Sequence, residues 1–177
     1  MAYVLTENRA GFLQIANTDA GITTPGGTLI PTPPSVLGQV VRAVDPVYGE
    51  GEFMLLVGVA STAIGSLVTY NATTYQTALS PNTAGLGVSL AVAMSANGAA
   101  SFGWYQIGGL AVIKKTATQV TAQVAVYQSA TAGSIMPTQA NGKQILGAQS
   151  ANLATVTTTT GTLVVLIDRP HLQGQVV

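Results

Sequence analysis

The one histidine, His171, lies in the stretch DRPHLQG with Asp168 close by, and serines occur along the whole chain, so a Ser-His-Asp arrangement can be drawn on paper. No nucleophile elbow accompanies it, and Pro170 reads as a strand giving way to a loop. No catalytic residue is assigned. The acids gather once, as Asp45, Glu50 and Glu52 in DPVYGEGE. Oxygen ligands on a glycine-containing loop could hold Ca²⁺, but the spacing follows no standard calcium loop, and solvated turn carboxylates explain the cluster equally. A phosphate loop is excluded because Pro137 stands where Gly142-Lys143 would require glycine. Gly85-Leu86-Gly87 lacks the third glycine and the helix of a dinucleotide fingerprint. Cysteine is absent, which removes disulfides and thiolate metal sites. Phe102, Trp104 and Tyr105 could stack on a sugar, although an aromatic strand in a β core is the commoner outcome. No cofactor or metal is expected.

The elements that would have to position any such group are unusual in charge. Only 7% of the 177 residues are charged, where about 25% is ordinary, while 47% are hydrophobic. From Phe53 to Ile113 no Asp, Glu, Lys or Arg occurs. A membrane span needs about 20 mainly apolar residues. The best run, FMLLVGVASTAI, is too short and carries Gly, Ser and Thr, so no membrane partner is expected. MAYVLTENRAGFLQ has no basic stretch followed by an apolar one, so no secretory signal is expected, and the sequon Asn71-Ala72-Thr73 is read as idle. Net charge is zero and the six basic residues are scattered, which argues against nucleic acid. A neutral, charge-poor surface keeps a free monomer in solution badly, so much of it is expected to be covered in an assembly.

Val, Thr, Ile and Tyr abound between frequent Gly and Pro, without a helical stripe. This predicts an all-β fold. In QVTAQVAVY (119–127) Val120, Ala122, Val124 and Val126 alternate with Thr121, Gln123, Ala125 and Tyr127, as in a strand. Phe102 and Trp104 share one face of another, with Tyr105 and Ile107 opposite. Gly108-Gly109 marks a kink, and Lys114-Lys115 and Asp168-Arg169 mark emergence into solvent. The apolar run TLVVLI (162–167) predicts a strand covered on both faces.

Residues 1–37 differ, being dense in Thr, Pro and Gly. Pro25, Pro31, Pro33 and Pro34 favour extended backbone. Either an arm lying on another surface or a leader fits; Leu13, Ile15, Ile22, Leu29 and Ile30 favour the arm, with 38–177 folding without it. A faint internal echo links 65–79 with 122–136 and 86–107 with 146–167. The expectation is two related small β-barrel or sandwich-like modules, about 65–115 and 122–170, with an extended N-terminal arm.

GQVV (38–41), VGVA (57–60), FGWYQIGGLAVIK (102–114), VYQSATAG (126–133), QILGAQS (144–150) and TLVVLIDRP (162–170) together resemble the capsid decoration (cement) proteins of tailed bacteriophages. The likeness is one of pattern and covers roughly 36–170; the Thr/Pro-rich arm departs from the shortest family members. It implies a non-enzymatic virion protein without cofactors, made in the host cytoplasm. Such a protein binds the outside of the assembled major capsid protein lattice, often as a homotrimer. The alternative is a head fibre or receptor-binding module that recognises a cell-surface glycan through the aromatics.

Overall fold

The computed structural model describes residues 1–6 and 12–175. Every regular element among them is a β-strand. The N-terminal segment contributes β1 (Val4–Leu5), β2 (Thr18–Asp19), β3 (Ile22–Thr23) and β4 (Leu29–Ile30), followed by the hairpin β5 (Val40–Asp45) and β6 (Gly49–Val57). A first four-strand unit is β7 (Leu67–Tyr70), β8 (Thr77–Leu79), β9 (Leu90–Ala93) and β10 (Phe102–Lys114). A second is β11 (Ala125–Gln128), β12 (Ile135–Met136), β13 (Gln144–Ser150) and β14 (Thr162–Leu172). The sheets do not close into a barrel and the fold is sandwich-like.

The two units share one pairing scheme. In each, the first strand pairs with both the second and the third, and the third pairs with the fourth, all antiparallel. Their long last strands then pair with each other, Gly108 opposite Asp168 through Lys114 opposite Thr162. Leu67, Leu90 and Val92 of the first unit and Val126, Ile135, Ile145 and Leu163 of the second fill one common core. The units are therefore alike in topology but packed as one body.

Both long strands bend at matching places. In β10 the register with β6 slips between Gln106 and Gly108, and Gly109 takes φ +92°. A Cβ on Gly109 would lie 2.5 Å from the Glu50 carbonyl oxygen, so only glycine lets β6 pass this closely. Gln106, fully buried, donates from Nε2 to the carbonyls of Gly108 and Leu110, which satisfies groups that the bulge takes out of the ladder. In β14 the bend falls at Arg169 (φ +42°), opposite Gly147 (φ +70°). Asp168 and Arg169 are thus inside a strand, and Pro170 is tolerated there because the ladder is already interrupted.

Before its bend, β10 is buried on both faces. Trp104 packs with Phe53, Leu55 and Met94, whereas Tyr105 and Ile107 pack on the other side with Leu56, Val68 and Ala91. The charge-free stretch is explained here: a strand enclosed on two sides has no place for an ion. Two expectations come out differently. The alternation in 119–127 is broken by Gln123 at φ +56°, so Val120 bridges Val156 while β11 begins only at Ala125. Lys115 does not emerge but is buried, donating from Nζ to the Thr116 and Thr118 carbonyls, and burial lowers its pKa.

Candidate interaction surface

The N-terminal segment splits at about residue 20. Its first part is stitched into the domain. β1 pairs with β5, and β2 pairs with the start of β10. Trp104 Nε1 donates to the Leu13 carbonyl at 2.7 Å, and Phe12 meets the indole edge-on. Tyr3, Leu5 and Ile15 lie in the same cluster as Trp104 and Phe53. Burial, partly offset by the hydrogen bond with Gln106, raises the pKa of Tyr3. Leu13 and Ile15, expected to face a partner, therefore pack inward, and Ile15 is only 1% exposed.

The second part stands apart. β3 and β4 form a two-stranded sheet paired with nothing else, closed by a turn in which Gly27 N donates to the Thr24 carbonyl. Ile22 opposes Ile30, and Thr23 opposes Leu29. Ile22, Leu29 and Ile30 are 61%, 49% and 50% exposed. No charged residue occurs from Ala20 to Val41. An isolated two-stranded hairpin is only marginally stable in water, and its free edges invite further pairing.

A second uncovered surface lies on the paired halves of β10 and β14. Leu163, Val165 and Ile167 face the core, but Val164 and Leu166 face out, in register with Val112 and Leu110. The strand 162–167 is thus covered on one face, not two. Its outer side carries a cross-strand aliphatic ladder where polar residues are usual, and Leu166 is 51% exposed.

The carboxylates do not converge. On β5 and β6 Val44 opposes Glu50 and Arg42 opposes Glu52, while Asp45 points to the other side and is buried. Asp45 Oδ1 accepts from the Val47 and Tyr48 amides and Oδ2 from Ala2. Burial alone would raise its pKa, yet these three donors lower it below the ordinary aspartate value. Glu50 and Glu52 face arginines instead: Arg42 lies 3.6 Å from Glu50 and 3.4 Å from Glu52, and Arg169 lies 3.1 Å from Glu52. The network borders an open cleft of about 360 Å³ at the two strand bends, together with Asp168. Being exposed, each pair adds at most about 1 kcal/mol. The Arg42 pairs close across the β5–β6 hairpin, whereas the Arg169–Glu52 pair joins residues far apart in sequence and leaves no local trace.

His171 is exposed; Ser89 bridges it across the strands, but its described side-chain hydrogen-bond partner is the Arg169 carbonyl, and among the described residues neither a serine hydroxyl nor Asp168 hydrogen-bonds to its ring. Phe102, Trp104 and Tyr105 are buried and form no stacking platform. No helix is long and apolar enough to cross a membrane among the described residues. No protein-family model matches the chain, and no curated relative matches it.

Proposed function

We propose that this chain is a structural protein of a virion that docks on the outside of the assembled major capsid protein lattice and stabilises the head, acting as a homo-oligomer, with three copies as the arrangement favoured by the family resemblance. The observation that carries this reading is the pair of apolar β surfaces that one copy leaves exposed or half-exposed: the charge-free β3–β4 hairpin, and the Leu110/Val112/Val164/Leu166 ladder between Lys114 and Asp168. A chain that fills its core with aliphatic strands and still exposes these two surfaces is built for apolar and main-chain contact.

The test is co-sedimentation of the purified chain with heads assembled without it. Saturable binding that raises the thermal stability of the heads is expected. Because the hairpin carries no charge and the ladder is bounded only by Lys114 at one end and Asp168 at the other, binding should persist as salt rises from low to molar strength. A chain that stays in the supernatant at every salt concentration would overturn the reading, and one stripped off by salt would refute the apolar interface.

A further inference from the structure

The echo between the two units places a tyrosine at or one residue before the end of each first strand, Tyr70 in β7 and Tyr127 in β11, and a cleft lies beside each. The Tyr127 cleft has a volume of about 220 Å³ and is bordered by Gln139, Asn141, Gln144 and Gln173. Tyr127 and Gln144 are cross-strand partners, so both side chains stand on the same face of the sheet. The walls are fixed by main-chain bonds: Gln173 N to the Gln144 carbonyl, Gln128 N to the Lys143 carbonyl, and Lys143 N to the Ala140 carbonyl. The four amide side chains make no hydrogen bond with another described residue. No charged residue lines the cleft, and the neighbouring Lys143 directs its ammonium to Asn82 Oδ1 at 2.7 Å.

The Tyr70 cleft is chemically different. Asn71 Oδ1 already accepts from the Thr73 and Thr74 amides, and Gln76 Nε2 donates to the Gly58 and Thr77 carbonyls. Its amides shape the protein; those around Tyr127 have no described hydrogen-bond partner.

We propose that the Tyr127 cleft is a binding site for a neutral saccharide, one pyranose residue at a time. A side-chain amide offers a donor and an acceptor side by side, which suits vicinal hydroxyls, and four of them surround one aromatic ring. The apolar face of a tyrosine packs on the C–H face of a sugar ring, and its hydroxyl adds a donor at the edge. Without a lining cation, a phosphorylated or carboxylated ligand would lose its hydration and gain no counter-charge. At about 220 Å³ the cleft lies below the roughly 300–1,000 Å³ of sites for larger ligands, which fits a single ring. This site goes beyond the docking role and does not rest on it.

Saturation-transfer NMR on the full chain tests the site, with glucose, galactose, mannose, N-acetylglucosamine and N-acetylgalactosamine as probes and sialic acid as the anionic control. At least one neutral sugar should bind at millimolar concentration, and sialic acid should not. Gln173→Ala lies beyond the last strand and leaves the sheet intact. It should weaken binding about tenfold, the loss expected for one or two neutral hydrogen bonds. Tyr127→Phe, which keeps the ring, should bind within about threefold of the parent. Gln76→Ala in the other cleft should leave binding unchanged. The proposal is overturned if none of the five sugars gives a signal, if sialic acid alone binds, or if Gln173→Ala and Gln144→Ala both bind as the parent does.

Discussion

In residues 1–19 the large apolar side chains Tyr3, Leu5 and Ile15 are buried against Trp104 and Phe53, whereas in residues 20–37 Ile22, Leu29 and Ile30 stand half-exposed on a hairpin that pairs with no other strand among the described residues. Both halves mix aliphatics with Thr and Gly. What separates them is whether the backbone finds a ladder. β1 meets the free edge of β5, and β2 meets the start of β10, so Leu5 and Ile15 are carried into an existing core while Val4 faces out. β3 and β4 find only each other, and Pro31, Pro33 and Pro34 follow at once, which cannot donate to a further strand. Composition sets what a segment can bury; an available edge decides what it does bury.

The largest effect that tests this contrast is removal of the whole segment. A chain beginning at Gly38 loses three buried side chains worth about 1.5–3 kcal/mol each and leaves the Trp104 indole N–H without its acceptor. The combined loss, roughly 6–12 kcal/mol, rivals the entire net stability of an ordinary domain. The shortened chain should therefore fail to fold cooperatively, with Trp104 fluorescence shifted to the red. A sharp unfolding transition and native emission from that chain would break the comparison, because the first half would then be an appendage like the second.

A smaller effect comes from Asp45, which ties the start of the chain to the β5–β6 turn. Its lowered folded pKa means that the unfolded chain binds the proton more readily, so stability rises with pH across the acid range. The Asp45 contribution is complete above the ordinary aspartate pKa and lost as pH falls through the lower folded value. Asp45→Ala should cost about 2 kcal/mol at neutral pH, since it leaves three amides without their charged acceptor. It should also flatten the acid limb of the stability profile in urea titrations at successive pH values. An unchanged acid limb would mean that other carboxylates govern it.

Much of the fold was legible because it rests on local pattern. The alternation around Trp104, the Gly108-Gly109 kink and the all-β vocabulary are short-range signals, and they carried through to β10 and its bend. The faint sequence echo rested on Tyr70 and Tyr127, which lie at the end of β7 and one residue before the end of β11. The fates of Leu13 and Ile15 were not legible, because they depend on the Leu13 carbonyl reaching Trp104, a long-range contact with no local trace. For the same reason TLVVLI read as doubly covered: an apolar run reports that both faces can be buried, not that one chain buries both. The amides of the Tyr127 cleft were missed because Tyr127 and Gln173 join Gln139, Asn141 and Gln144 only through the pairing of β11 and the end of β14 with β13.

The smallest expected effect on stability concerns the hairpin, and there the comparison is sharpest. Ile22→Ser with Ile30→Ser alters two exposed side chains that support no core, so unfolding of the isolated chain should shift by no more than about 0.5 kcal/mol. Their consequence should appear only between molecules. At micromolar concentration the parent chain is expected to sediment as an oligomer, and the double variant to shift toward the monomer. The physical reason is that two facing isoleucines on a charge-free ribbon offer apolar area but no repulsion to keep copies apart. If the parent sediments as a monomer throughout, the hairpin does not mediate self-association. Should the variant instead lose several kcal/mol within the monomer, the hairpin belongs to the domain after all, and the two halves of the segment differ in exposure but not in role.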